Sequence, residues 1–311
     1  LKSAVSVSQD TLVSPSADAA LAAAVGGRAS AYLSLTKPRI VLMVLITVGV
    51  GFLLGARGSA HPMTFTLTLL GTGLVAGGAS TLNQYLERSR DALMRRTARR
   101  ALPSGRLASP EAAIFGAALG LIGTLILLVG VNGLAAATAL VTLLLYVYVY
   151  TPLKPYTTLN TAIGAVPGAL PPVIGWTAAT GSLSIEAWVL FLIVFLWQFP
   201  HFLAIAWIYR DDYARGGMKM LPGVDPRGTM TGRQSTLYAL ALVPAGLLPS
   251  IVGLAGPFYF VGAMILGLAY LESAARFWSC VNDATARRLL RASIVYLPAV
   301  LLLLVLNPMP A

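Results

Sequence analysis

The chain has 311 residues, of which 57% are hydrophobic and only 11% charged, and its net charge is +11. A soluble globular domain carries about 25% charged residues, so most of this chain is not solvated by water and no stretch remains for a separate soluble domain. The basic residues lie between apolar runs, an arrangement that argues against nucleic acid and for topology, anionic lipid or an anionic substrate.

Residues 1–31 are expected to form a disordered tail. They are rich in Ala, Ser and Val, carry Asp10 and Asp18 with little basic charge, and match neither a transit peptide nor a signal peptide. Residues 32–311 then form one transmembrane domain. Nine apolar runs reach the length of about 20 residues that crosses a bilayer: 40–58, 64–86, 111–130, 132–150, 161–180, 186–209, 235–253, 257–277 and 288–306. Turn chemistry separates them, at Gly58, Pro62, Pro103, Pro110, Asn132-Gly133, Pro152, Pro155, Gly181, Pro222, Pro226 and Gly256-Pro257. Barrel strands would be about ten residues long and would alternate, so the predicted fold is an all-α, polytopic bundle of nine transmembrane helices.

With the N-terminus inside, every lysine and arginine except Arg57 falls on the inner side, the split that the positive-inside rule requires. The C-terminus is then outside. The loops after the second and sixth spans are long, charged and four helices apart, which hints at a duplicated four-helix unit plus one helix. The lone cysteine, Cys280, permits no internal disulfide and no cysteine metal site, and reads as a small apolar residue within a span.

The second span ends in Asn83, Glu87 and Asp91, each four residues from the last. On a helix that spacing puts three oxygen-bearing side chains on one face. Two carboxylates and an amide make a hard-oxygen site suited to Mg²⁺, which completes its shell with substrate phosphates and water. Arg95, Arg96, Arg99 and Arg100 follow, placed to clamp phosphate oxygens. The plainer reading is a solvated helix end paired with those arginines. Gly71, Gly73, Gly77 and Gly78 upstream favour a site inside the bundle, because small residues let helices pack closely.

The sixth span ends in Tyr209-Arg210-Asp211-Asp212-Tyr213, acid beside base at the same membrane depth, so the two clusters read as halves of one site. His201 lies about 12 Å before Tyr209 by helical rise. An ionisable residue at that depth is either a functional group or a neutral histidine hydrogen-bonded between helices, whereas His61 is expected in solvent. Tyr146, Tyr148 and Tyr150 close the fourth span, and at least one is expected to face the site. Trp176, Trp188, Trp197, Trp207 and Trp278 read mostly as interfacial anchors.

These clusters sit among longer stretches. They are LTKPRI at 35–40, N-x-Y-x-E-x₃-D-x₂-M-x-R-T-x₂-R at 83–100, YTPLKPYTTLNTAIGAVPGALPPVIGW at 150–176, WQFPHFLAIAW at 197–207 and DYARGGMKMLP at 212–222. From about 32 to 306 the chain resembles the intramembrane UbiA-type prenyltransferases, most closely their protoheme IX farnesyltransferase (haem O synthase) branch. The resemblance implies transfer of the farnesyl group of farnesyl diphosphate to a vinyl group of haem B, with addition of water, to give haem O on the way to haem A. It implies that Asn83, Glu87, Asp91 and Asp212 hold Mg²⁺ and diphosphate, that Arg96, Arg100 and Lys154 contact phosphate, and that His201 binds haem. It also implies a bacterial inner membrane, with membrane lipid and a downstream haem A synthase as partners. Three positions depart from the family pattern. Ala101 stands where proline is usual, Pro155 where many members have a basic residue, and Gly216 where the wider group has a second aspartate, for which Asp211 is a candidate substitute on a different face.

A transporter is the competing class. Transporters bind near the bilayer midplane, whereas Glu87, Asp91, Asp211, Asp212 and Glu272 all fall near the inner ends. That suits an enzyme with one soluble anionic substrate and one lipid-soluble substrate. The nearer rival acts on a quinone precursor or a chlorophyll-type acceptor, and a purely structural membrane subunit leaves the matched clusters without purpose.

Overall fold

In a membrane every backbone polar group must be satisfied within the protein, which leaves helices as the economical solution for runs of this length. The computed structural model describes residues 27–309. Among these, nine helices are long and apolar enough to cross a membrane: α1 Pro38–Ala56, α2 Pro62–Asp91, α3 Ser109–Gly130, α4 Gly133–Leu153, α5 Asn160–Thr180, α6 Ile185–Ile208, α7 Thr229–Ile251, α8 Pro257–Ser279 and α9 Asp283–Leu306. Proline stands in the first turn of α1, α2, α3 and α8, where its missing N–H has no intrahelical partner to lose. Asn132 caps α4 through Ala135 N, and a capping box at Asn282 starts α9.

Three features differ from the sequence expectation. The expected tail, 1–31, lies outside the described residues up to 26, but 27–35 is helical. That helix is docked: Arg28 pairs with Glu111 at 3.1 Å, Tyr32 meets Phe115 edge-on, and Ala31 and Leu35 pack with Ala101, Leu102 and Leu107. The alanine at 101 is therefore a core position under this helix. Second, α2 runs on to Asp91 rather than ending at 86, so the whole Asn83–Asp91 face is helical. Third, α5 is two pieces, Asn160–Ala169 and Pro171–Thr180, broken at Leu170 because two successive prolines cannot donate to the preceding turn.

Glycine sets how closely the helices approach. A Cβ on Gly78 would stand 2.6 Å from Gly116 O, and one on Gly123 would stand 2.5 Å from Gly71 O, so α2 and α3 touch backbone to backbone. The second piece of α5 lies as tightly on α1, through Gly175 against Val48 O and Gly51 against Pro172 O. The remaining helices pack around large side chains, with Tyr259, Tyr270, Phe277, Leu289 and Tyr296 fully buried between α6, α7, α8 and α9.

Some single-residue expectations are also corrected. Cys280 is exposed at the C-cap of α8 rather than inside a span. Trp176 and Trp207 are buried core residues, and only Trp188 and Trp278 are exposed as interfacial anchors would be. The loops after α2 and α6 lie at the same end of the bundle and interlock there, which is where the site forms.

Candidate active site

Asn83, Glu87 and Asp91 share one face of α2 and line a cavity of about 230 Å³ at the end carrying the charged loops. All three are buried. Asn83 Nδ2 donates to Thr151 Oγ1 at 3.0 Å, and that hydroxyl donates in turn to Tyr146 O. Tyr146 O also accepts the Thr151 N–H five residues on, because α4 closes with a π turn over Leu145–Tyr150. The widened turn settles which tyrosine faces inward: Tyr146 and Tyr150 line the cavity with ring centroids 5.4 Å apart, whereas Tyr148 is 63% exposed.

Basic residues converge from three segments. Arg100 Nη1 lies 2.7 Å from Asp91 Oδ2, and Lys154 Nζ lies 2.6 Å from Glu87 Oε1 and 4.5 Å above the Tyr150 ring. Burial works to lower the Lys154 pKa, but Tyr150 and Glu87 more than reverse this, so the ammonium is held above the ordinary lysine value. Arg96 stacks on Tyr209 and Tyr213 and donates to the Tyr213 hydroxyl at 3.3 Å. Lys37, at the start of α1, donates to Asn83 Oδ1 at 3.2 Å. Its backbone is left-handed, φ 51°, an uncommon state for a residue with a side chain. Burial, then repulsion from Arg100 and Lys154, draws its pKa down to about 7.

Four cations thus face two carboxylates across the cavity, leaving it net positive. Asp91 Oδ1 is buried without a hydrogen-bond partner, whereas Glu87 Oε1 is held by Lys154 Nζ at 2.6 Å. A buried acceptor left unmade costs about 1–3 kcal/mol. That open oxygen, with the Glu87 carboxylate and the Asn83 amide oxygen on the same helix face, is a hard-oxygen donor set that Mg²⁺ fits. Among the described residues no three histidines, cysteines or acids come together as a fuller metal set.

Asp212 is placed differently from the expectation that it joins those ligands. It does not line the cavity; its carboxylate accepts the backbone N–H groups of Arg95 and Arg96 at 3.2 and 3.4 Å and pairs with Arg215. Burial opposes its ionisation, but Arg215 and those two N–H groups hold its pKa below the ordinary aspartate value. The turn after α2 presents its free N–H groups to the short helix Arg210–Arg215, so Asp212 fastens one loop to the other. Arg90 Nη1 adds to this by donating to Gly216 O and Gly217 O at 3.2 and 3.3 Å. Gly216, where the wider group has an aspartate, packs on Met94 and lends its carbonyl, while Asp211 points into solvent. Met94, Met218, Met220 and Tyr213 form the apolar underside of this interlock.

His201 sits between α6 and α9. Its Nδ1 is 2.7 Å from Ser293 Oγ and its ring stacks on Trp197, while the neighbouring Phe202 lines the cavity. His61 is exposed, as expected. Sequence reasoning missed Lys37 as a site residue; its signal was a lysine immediately before the proline that opens α1. It also missed Asn160, which is fully buried and donates to Thr157 O, Lys219 O and Lys154 O, tying the Lys154 corner to the loop after α6. A larger hollow of about 380 Å³ between α2 and α3 is lined only by Leu67, Ile122, Leu125, Ile126, Val129 and Gly130. It is open and apolar, without polar chemistry.

The sequence profile of the UbiA prenyltransferase family matches residues 44–303. A protoheme IX farnesyltransferase of Solibacter usitatus (strain Ellin6076) is 46% identical over 285 residues, covering 89% of this chain and 98% of that protein. One of Koribacter versatilis (strain Ellin345) is 42% identical, covering 89% and 92%, and one of Parvibaculum lavamentivorans is 41% identical, covering 96% of each. Among solved structures, a digeranylgeranylglyceryl phosphate synthase superposes with TM-score 0.76 at 19% identity, covering 90% of this chain and 98% of that one. A UbiA homologue from Archaeoglobus fulgidus bound to DMAPP and Mg²⁺ gives 0.63 at 16% identity, covering 88% and 98%. At these identities the superpositions establish the fold.

Proposed function

The chain belongs to the UbiA prenyltransferase family, and we propose that it transfers the farnesyl group of farnesyl diphosphate to a vinyl group of haem B, with addition of water, to give haem O. Relatives at 41–46% identity over most of the chain carry the name protoheme IX farnesyltransferase. The observation that carries the reading is the cavity itself. A buried Asp91 oxygen lacks a partner beside Glu87 and Asn83, the surrounding cations exceed the carboxylates, and the walls beyond them are apolar and aromatic.

Asn83, Glu87 and Asp91 would hold Mg²⁺, which supplies charge stabilisation for a leaving diphosphate. Arg96, Arg100 and Lys154 bind phosphate oxygens. As the allylic C–O bond breaks, negative charge moves onto the diphosphate and meets these preorganised cations. The allylic cation lies against Tyr146, Tyr150 and Phe202, whose ring faces attract positive charge and whose bulk excludes water. The vinyl π electrons form the new C–C bond, and water adds to the resulting porphyrin-side cation with loss of a proton. Asp212 acts by holding the two loops together over this space. His201 orients α6 against α9 through Ser293.

On this reading the protein lies in a bacterial inner membrane with the charged loops and N-terminus in the cytoplasm and the C-terminus outside, supported by the one-sided distribution of basic residues. A haem A-forming enzyme consumes the product. The test is a mass spectrum of the porphyrin after incubating purified protein with haem B, farnesyl diphosphate and Mg²⁺. A product heavier by one farnesyl chain plus water, absent when metal is chelated, is expected. Unchanged haem, with diphosphate released on addition of a quinone precursor, would keep the site and discard the haem acceptor.

A further inference from the structure

The four cations that line the cavity are not in equivalent states. Arg100 is neutralised by Asp91 and Lys154 by Glu87. Arg96 lies over two tyrosine rings and already has a phosphate-binding role in the proposed reaction. Lys37 remains. Among the described residues it makes no ion pair, and its side-chain partner is the neutral amide of Asn83. It is held there by a left-handed backbone between the docked helix at 27–35 and Pro38, while the residues that follow it, Pro38, Arg39 and Ile40, are exposed. A lysine brought into a partly buried, already positive cavity without a carboxylate calls for an anion from elsewhere.

We propose that Lys37 is a substrate-binding cation of this site, which takes an anionic oxygen of a substrate beside the Asn83 amide. The inference rests on the proposed function for the identity of that substrate. Two sources offer the same chemistry: the diphosphate, and the propionate carboxylates of the haem acceptor. A charge-assisted contact of this kind, removed without replacement, weakens binding about tenfold or more. The contact is a point-charge one, so arginine at 37 retains part of it and methionine none.

The test uses full-length protein in detergent, as wild type, Lys37→Met and Lys37→Arg, with a thermal melt of each to report folding. Inorganic pyrophosphate with Mg²⁺ is titrated by calorimetry, and KM is measured for haem B and for its dimethyl ester. Loss of about tenfold in pyrophosphate affinity in Lys37→Met, largely restored in Lys37→Arg, assigns the contact to the diphosphate. Unchanged pyrophosphate affinity, with KM for haem B raised to that of the ester, assigns it to the acceptor carboxylate. If folded Lys37→Met binds pyrophosphate and discriminates haem B from its ester as wild type does, the proposal is overturned. Should Lys37→Met fail to fold, Lys37→Gln, which keeps a donor for Asn83, carries the same readings. The pyrophosphate titration needs no acceptor, so it still reports on Lys37 if haem proves not to react; in that event unchanged affinity alone overturns the proposal.

Discussion

Asp91 gives one carboxylate oxygen to Arg100 at 2.7 Å and leaves the other buried with no hydrogen-bond partner. The two halves of this side chain therefore do different things. Oδ2 fixes the turn that follows α2, and Oδ1 is kept open for a cation. Thr97 Oγ1, donating to Asp91 O at 2.8 Å, adds a second tie to the same turn.

Asp91→Asn keeps the shape and removes the charge. It should lower turnover by about 100-fold or more while the melting temperature changes little, since the residue's loss leaves a half-exposed arginine rather than a cavity. Chelating Mg²⁺ should stop the wild-type reaction and re-adding it should restore the rate. Turnover in Asp91→Asn close to wild type would remove the metal argument.

Glu87 and Lys154 form a buried pair, and removing one partner of such a pair destabilises by about 3–5 kcal/mol because the other charge is left alone. Lys154→Met should therefore lower stability more than the double variant Glu87→Gln/Lys154→Met. A double-mutant cycle on denaturation in detergent measures the coupling, and additivity would show that the two groups do not interact.

Asn160→Ala removes three carbonyl contacts at the corner that presents Lys154. About 1–3 kcal/mol of stability should be lost. The KM for the diphosphate should rise more than kcat falls, because Lys154 moves but no reacting atom is touched. Steady-state kinetics with limited proteolysis of the 209–228 loop reads both effects.

Gly78→Val places a branched side chain where a Cβ alone would stand 2.6 Å from Gly116 O. Overpacking of this kind costs about 1–3 kcal/mol or more, and here both sides are backbone. The variant should melt well below wild type and express poorly, whereas Gly73→Ala, which faces only Leu45 at 3.6 Å, should be tolerated.

The nine spans and the Asn83-Glu87-Asp91 face were legible because each rests on one local regularity, apolar length or four-residue spacing. What escaped depended on partners far along the chain. No periodicity tells which of Tyr146, Tyr148 and Tyr150 turns inward, since a π turn shifts the register at that point. Lys37 looked like a topology signal until α1 stood beside α2. Asp212 carried the chemistry of a ligand, but the N–H groups of Arg95 and Arg96 reached it, and Ser293, more than ninety residues from His201, decided the direction of that ring. Cys280 and Trp176 were misjudged for the same reason: hydropathy gives depth along a span but not which neighbours surround a residue.

The backbone contact of α2 on α3 bears on how such a protein acquires new acceptors. A helix seated against bare peptide cannot turn or slide without unmaking its neighbour, so the end carrying the proposed diphosphate site is inherited as a fixed part. Across the cavity Tyr146 on α4 and Phe202 and Ile205 on α6 are ordinary side chains, free to change size one at a time. Divergence of acceptor choice from this ancestry would thus proceed by exchange of wall residues, with the diphosphate end left untouched.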